Sequence, residues 1–289
     1  MTVPSAALND SKRSSRAGLA AASRFFTGAT FRRQSLIWCG RLAVLVAICG
    51  IWQYASTEGW ADPVFIGQPS GIAVDFLEAI QGNVLFVDAY ATVINTLIGF
   101  ALATVAGMVV AVVLAEVRII DEMVQPFLTA MNSMPRVALA PLFIMWFGVG
   151  GESKIVLSAS LVFFIVLLNT MAGIQRVDED HVILANSLGA SPFRRFTKIT
   201  LPSAIPSIFT GIELGMVYGF LGTVAGEMLA GEHGIGVRLQ EYSGLFQTNK
   251  FFAALLLLVV ITTTISTFLR MIRRRLLHWQ DVGIARRNG

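Results

Sequence analysis

Residues able to do chemistry are sparse in this chain, and their spacing excludes most enzymatic uses. The three histidines, His181, His233 and His278, are scattered singly, and the two cysteines, Cys39 and Cys49, sit ten positions apart in one apolar run. At about 1.5 Å per helical residue those cysteines lie about 15 Å apart, beyond disulfide reach. Neither a metal set nor a nucleophile–base triad has support in such a pattern. The four lysines follow Ser11, Ser153, Thr197 and Asn249, whereas a phosphate-binding P-loop needs Gly-Lys-Ser or Gly-Lys-Thr. The chain is therefore expected to bind no nucleotide, cofactor or metal. Two other features stand out. Arg136, Glu213 and Glu227 lie inside apolar runs, and a polar, sharply punctuated stretch, "ANSLGASPFRRFTKITLPSAIP", covers 185–206.

The elements that position these residues are long and oily. Hydrophobic residues make up 55% of the 289 and charged ones only 14%, against about a quarter charged in soluble domains. A bilayer core of about 30 Å needs about 20 apolar residues per helix. Runs 89–115, 155–175 and 251–269 carry no charge. Three more contain one or two ionisable residues: 35–56 with Arg41, 126–150 with Arg136, and 206–230 with Glu213 and Glu227. The expected class is an all-α integral membrane protein with six transmembrane helices, since only internally hydrogen-bonded segments cross lipid in this way.

Cations set the orientation. Six Lys or Arg fall in 1–34, four in 176–205 and six in 270–289, with Arg118 between the second and third runs. Residues 57–91 have no cation and five acids, Glu58, Asp62, Asp75, Glu78 and Asp88. The positive-inside rule places both termini and 176–205 in the cytoplasm. The expected organisation is a basic tail over 1–34, a six-helix domain over 35–275 and a second basic tail over 276–289. The first tail reads as a disordered cytoplasmic segment; a mitochondrial transit peptide has similar composition.

Between the first two spans, Ser70 is a candidate N-cap for a short helix with Ile72, Phe76 and Ile80 on one face. Small residues recur every fourth position at Gly99, Ala103, Gly107, Ala111 and Ala115, and again at Gly211, Gly215 and Gly219. Such stripes let helices approach closely in lipid, either within the chain or at a seam with a second copy. Arg136 and Glu213 have comparable depth, so a buried pair is expected. The alternative for Arg136 is a cation lining a path for an anion, as ionisable groups at membrane depth face protein or water. Glu227 lies fourteen residues beyond Glu213, about 21 Å further along.

The 185–206 stretch reads as a rigid knuckle. Gly189 ends one helix, Ser191 and Pro192 cap and open the next, and "PFRRFTKI" carries Phe193 and Phe196 on one side, with Leu201-Pro202 closing it. Such an elbow suits the docking of another protein. Ala185, Gly189, Ile199, Leu201 and Pro202 also match the cytoplasmic pattern of ABC importer permeases: Glu-Ala-Ala, three residues, Gly, nine residues, Ile-x-Leu-Pro. Ile183 and Leu184 depart from its first two positions. Together with "MPRVALAPLFIMWFGVGGESKI", "NTMAGIQRVD", "SLGAS" and "GEMLAGEHGIG", the chain from about 60 to 280 resembles the nitrate/sulfonate/taurine subgroup.

The resemblance implies a type I importer: two permease copies, two cytoplasmic ATP-binding subunits that hold the ATP and Mg, and an outer solute-binding protein. This chain would be no enzyme and have no nucleic-acid partner. It would form the path in the bilayer for a small, anionic solute. The coupling contact would involve Ala185, Asn186, Ser187, Leu188, Gly189, Ala190, Ser191, Pro192, Phe193 and Phe196. A rival reading is a proton-coupled secondary transporter using Glu213 and Glu227.

Overall fold

A computed structural model describes residues 34, 36–60 and 62–277. The expected tails, 1–34 and 276–289, lie almost wholly outside the described residues, as does His278. Every regular element among the described residues is helical, because the long apolar runs can satisfy their backbone groups only internally.

The chain divides at Pro69 into two units. The first contains α1 (Leu36–Thr57) and the short α2 (Pro63–Ile66). Asp62 caps α2 by accepting from the Val64 N–H at 2.9 Å, and the Ser56 hydroxyl donates to the Gly67 carbonyl at 3.1 Å.

The second unit is a bundle of α3 (Pro69–Gln81), α4 (Asn83–Glu116), α5 (Arg118–Ser133), α6 (Ala140–Phe147), α7 (Gly151–Gln175), α8 (Glu179–Ser187), α9 (Pro192–Arg195), α10 (Leu201–Leu229), α11 (Ile235–Gly244) and α12 (Thr248–Leu276). Helix α3 is the expected outer-loop helix. It starts at Pro69, so Ser70 lies inside its first turn rather than capping it.

Helix α7 is the centre of the bundle, packed between α4 and α10. Both small-residue stripes face it. A Cβ on Gly99 would stand 2.7 Å from the Ile155 carbonyl oxygen, and one on Gly211 would stand 2.7 Å from Asn169 Cβ. Ala103 packs with Val162 and Val166, and Ala111 with Phe164 and Leu167. The stripes therefore serve packing within the chain: small side chains bring backbones close enough for dispersion to act where the hydrophobic effect does not.

Among the described residues, five helices are long and apolar enough to cross a membrane, and the spans number six if one bent pair counts as a single span. The run expected as one helix over 126–150 is split, with Ile119–Ser133 and Arg136–Phe147 meeting at 84°. Pro135 explains the break. Its ring disfavours the helical region for the preceding residue, and Met134 is extended at φ −75°, ψ 132°. A 3-10 turn over Arg136–Leu139 then leads into α6.

Candidate functional site

The knuckle between α7 and α10 is fixed by local hydrogen bonds. Asp178 caps α8, accepting from the Asp180 N–H at 3.0 Å. At the other end Gly189 adopts φ +71°. There the Ala190 N–H donates to the Ala185 carbonyl and the Gly189 N–H to the Asn186 carbonyl, both at 3.0 Å. This paired closure is a Schellman motif, which a left-handed glycine permits. Ser191 caps α9 through the Arg194 N–H at 3.4 Å, and Pro192 takes the first-turn position.

The expected stop at Leu201-Pro202 does not occur. Instead α9 passes through a π turn over Phe196–Thr200 straight into α10. Pro202 has no N–H to donate, so the ladder shifts register, and the Leu201 N–H reaches back to the Phe196 carbonyl.

This rigid corner presents apolar side chains outward. Leu188 is 78% and Phe193 76% exposed, and Ile183 and Leu184 are exposed beside them. Asn186, Ser187, Gly189, Ser191 and Pro192 are also exposed, while Ala190 and Phe196 are half-buried. Ala185 is buried and packs inward.

At the far end of the bundle lies a polar clasp. Asp88 on α4 and Glu227 on α10 are each 1% exposed. Three successive backbone N–H groups of the α11 start find side-chain oxygens there. Gly234 donates to Asp88 Oδ1 at 3.0 Å, Ile235 to Thr92 Oγ1 at 2.8 Å and Gly236 to Glu227 Oε2 at 2.9 Å. These are the donors a helix start leaves unpaired, and the carboxylates also suit its positive dipole end.

Thr92 donates to Glu227 Oε2 at 2.9 Å, and Thr96 to Thr223 Oγ1 at 2.9 Å. Arg238 closes the clasp with its Nε 2.6 Å from Asp88 Oδ2, and that bond pushes the guanidinium pKa further up. The Lys154 ammonium, also buried, is spent on the Val149 and Gly150 carbonyls at the α6–α7 corner.

The three expected intramembrane charges do not come together. Glu213 pairs with Arg273 of α12 at 3.4 Å. Arg136 sits at the α5–α6 break, donating through Nη2 to the Met131 carbonyl at 3.2 Å and to Asn132 Oδ1 at 3.1 Å, with its carbon centre 4.0 Å from the Phe164 ring centroid. The expected Arg136–Glu213 pair is thus absent among the described residues. Similar depth was not enough, because the two side chains leave their helices toward different neighbours. The break carries Arg136 beside the middle of α7, over Phe164.

Comparison with known proteins places the chain. Residues 103–278 match the family described as "binding-protein-dependent transport system inner membrane component". This chain belongs to that family.

The permease is similar to a protein of Bacillus subtilis (strain 168) described as an aliphatic sulfonates transport permease, with 30% identity over 244 residues, 84% of this chain and 88% of the relative. A riboflavin transport permease of Chloroflexus aurantiacus is 30% identical over 83% of this chain and 90% of its own length. The taurine transport permease of Escherichia coli (strain K12) is 28% identical over 86% and 90%. Among solved structures, an amino acid ABC transporter chain superposes with a TM-score of 0.58 at 18% identity, covering 69% of this chain and 98% of that one. The methionine transporter MetNI gives 0.58 at 17%, covering 64% and 93%. Both show the fold.

The permease is a multi-pass inner-membrane subunit of an ATP-driven importer, and hydrolysis belongs to a separate subunit. Family membership favours this over the proton-coupled carrier. In keeping with that, Glu213 is engaged by Arg273 while Glu227 holds α11. No group of three His, Cys, Asp or Glu among the described residues could hold a metal ion.

Sequence reading missed the clasp partners Asp88, Thr92 and Arg238, and the buried Lys154 at the α6–α7 corner. The signals were present: Asp88, Thr92 and Thr96 are spaced by four on one helix face, and Gly231, Gly234 and Gly236 crowd close behind Glu227. At φ +134°, a Cβ on Gly234 would stand 2.2 Å from Glu227 Cδ.

Proposed function

We propose that this permease forms the translocation path for a small anionic solute such as a sulfonate, taurine or nitrate. Both termini and the knuckle face the cytoplasm, and the path-forming unit is a pair of permease copies. The ATP-binding subunit seats on the knuckle and carries the ATP and Mg, and the solute-binding protein delivers at the clasp end. This chain holds no cofactor. The single observation carrying the reading is the exposed pair Leu188 and Phe193 on a corner fixed by two helix caps and a Schellman closure. Apolar groups on a rigid support are what a docking contact needs, since little ordering entropy is lost on binding. The cation distribution supports the orientation, and the sulfonate and taurine relatives support the solute class.

The test is reconstitution of the permease with its ATP-binding subunit and solute-binding protein in vesicles, alongside thiol labelling of an Ala190→Cys variant in intact cells. ATP-dependent uptake is expected, and the introduced thiol should be protected from an impermeant outside reagent. Labelling from outside would reverse the orientation, and failure to assemble with an ATPase would remove the function.

A further inference from the structure

Among the described residues, Arg136 is the one cation of the bundle whose depth, partners and exposure together call for a ligand. Phe164, over which it lies, is the fourteenth residue of the 25-residue α7, about 20 Å from one end and about 16 Å from the other. The guanidinium is thus at mid-membrane depth. No carboxylate among the described residues pairs with it; both its bonds run from Nη2 to neutral oxygens. A guanidinium has five N–H donors, so Nε and Nη1 hold three that are unspent.

The residue is half-buried. A charge at this depth that faced lipid would be costly, so its open side faces water or a charged guest. The 84° break supplies the opening, since irregular backbone at membrane depth is tolerated where it lines a cavity. Phe164 beneath, and the Met131 and Asn132 oxygens beside, hold the planar group so that its free edge is presented without rearrangement.

We propose that Arg136 is the anion-recognition residue of the path, receiving the sulfonate, carboxylate or similar oxyanion group of the solute as it passes the broken span. Asn132 and the Met131 carbonyl are its positioning partners. The three free N–H groups match an oxyanion's acceptors, and a charge-assisted bond of this kind is about twice as strong as a neutral one. The inference rests on the importer reading above.

The test uses the importer assembled with its ATPase in lipid nanodiscs, with methanesulfonate as probe and neutral dimethyl sulfone as its uncharged counterpart. Saturation transfer from protein to probe methyl groups is read by NMR. The wild type is expected to transfer to methanesulfonate at least tenfold more than to dimethyl sulfone; equal transfer, or none to the anion, overturns the proposal without any variant. In a Cys39→Ala/Cys49→Ala background, Arg136→Cys is expected to lose the anion signal at least tenfold. Coupling an aminoethyl thiol to that cysteine should restore it, and coupling a methyl thiol should not. Arg136→Lys, which keeps charge but not the fork, should stay within about threefold of wild type. A full signal in unmodified Arg136→Cys, or loss in Arg136→Lys, makes the residue a brace for the break and contradicts the proposal. Co-purification of the ATPase is scored in each sample, so a collapse of the importer reading shows itself separately.

Discussion

Asp88 and Arg238, 150 positions apart in sequence, meet at 2.6 Å with the carboxylate almost fully buried. This contact ties α11 back to α4. Removing one partner of a buried pair strands the other, which costs roughly 3–5 kcal/mol when both are enclosed. Arg238 is partly exposed and keeps Glu241 at 2.7 Å, so Asp88→Ala should cost less, about 1–3 kcal/mol from the buried Gly234 N–H it leaves unpaired. Limited proteolysis within 231–244 and a thermal shift of the purified permease check this; unchanged cleavage would show that α11 is held by packing alone.

Gly234→Ala should be at least as damaging. The new Cβ would meet the Glu227 carboxylate, and the backbone there is in a region that side chains avoid. Strain and overpacking each cost about 1–3 kcal/mol. Glu227→Ala in the same chain should recover part of the loss by removing the clash, and a double-mutant cycle measures the recovery.

Glu213 and Arg273 form a partly exposed pair at 3.4 Å, so their coupling should be small but measurable, about 0.2–1 kcal/mol. Arg136 and Glu213 should show none. Parallel double-mutant cycles on both pairs decide the matter: additivity for Glu213 with Arg273, or coupling above about 1 kcal/mol for Arg136 with Glu213, would put the partners the other way round.

Much of this was legible in the sequence, for identifiable reasons. The long apolar runs became α4, α7, α10 and α12 because length and apolarity alone decide a span. The knuckle was legible because Gly189, Ser191 and Pro192 act through bonds within a few residues of themselves. The broken third span was not, because hydropathy averaging over 126–150 hides Pro135. The clasp was only partly legible: Glu227 and the Gly236 N–H it accepts from are nine residues apart and marked by glycines, but Asp88 and Thr92 join them only through the packing of α4, across well over a hundred residues.

The most direct test of the central claim, that the 185–196 corner seats the ATPase, is pull-down of the ATP-binding subunit by permease variants in detergent. A Cβ at Gly189 meets open space within the chain, so the internal cost is mainly left-handed backbone strain, roughly 1–2 kcal/mol and at the upper end for a β-branched side chain. Gly189→Val should therefore insert and fold, yet turn Leu188 and Phe193 away from the partner and lose transport. Leu188→Asp, placing a charge in the apolar contact, should lower ATPase recovery at least tenfold. Arg194→Ala and Arg195→Ala should be milder, since charges at a contact's rim mainly tune association rate. Full ATPase recovery by Leu188→Asp together with normal transport by Gly189→Val would contradict the account.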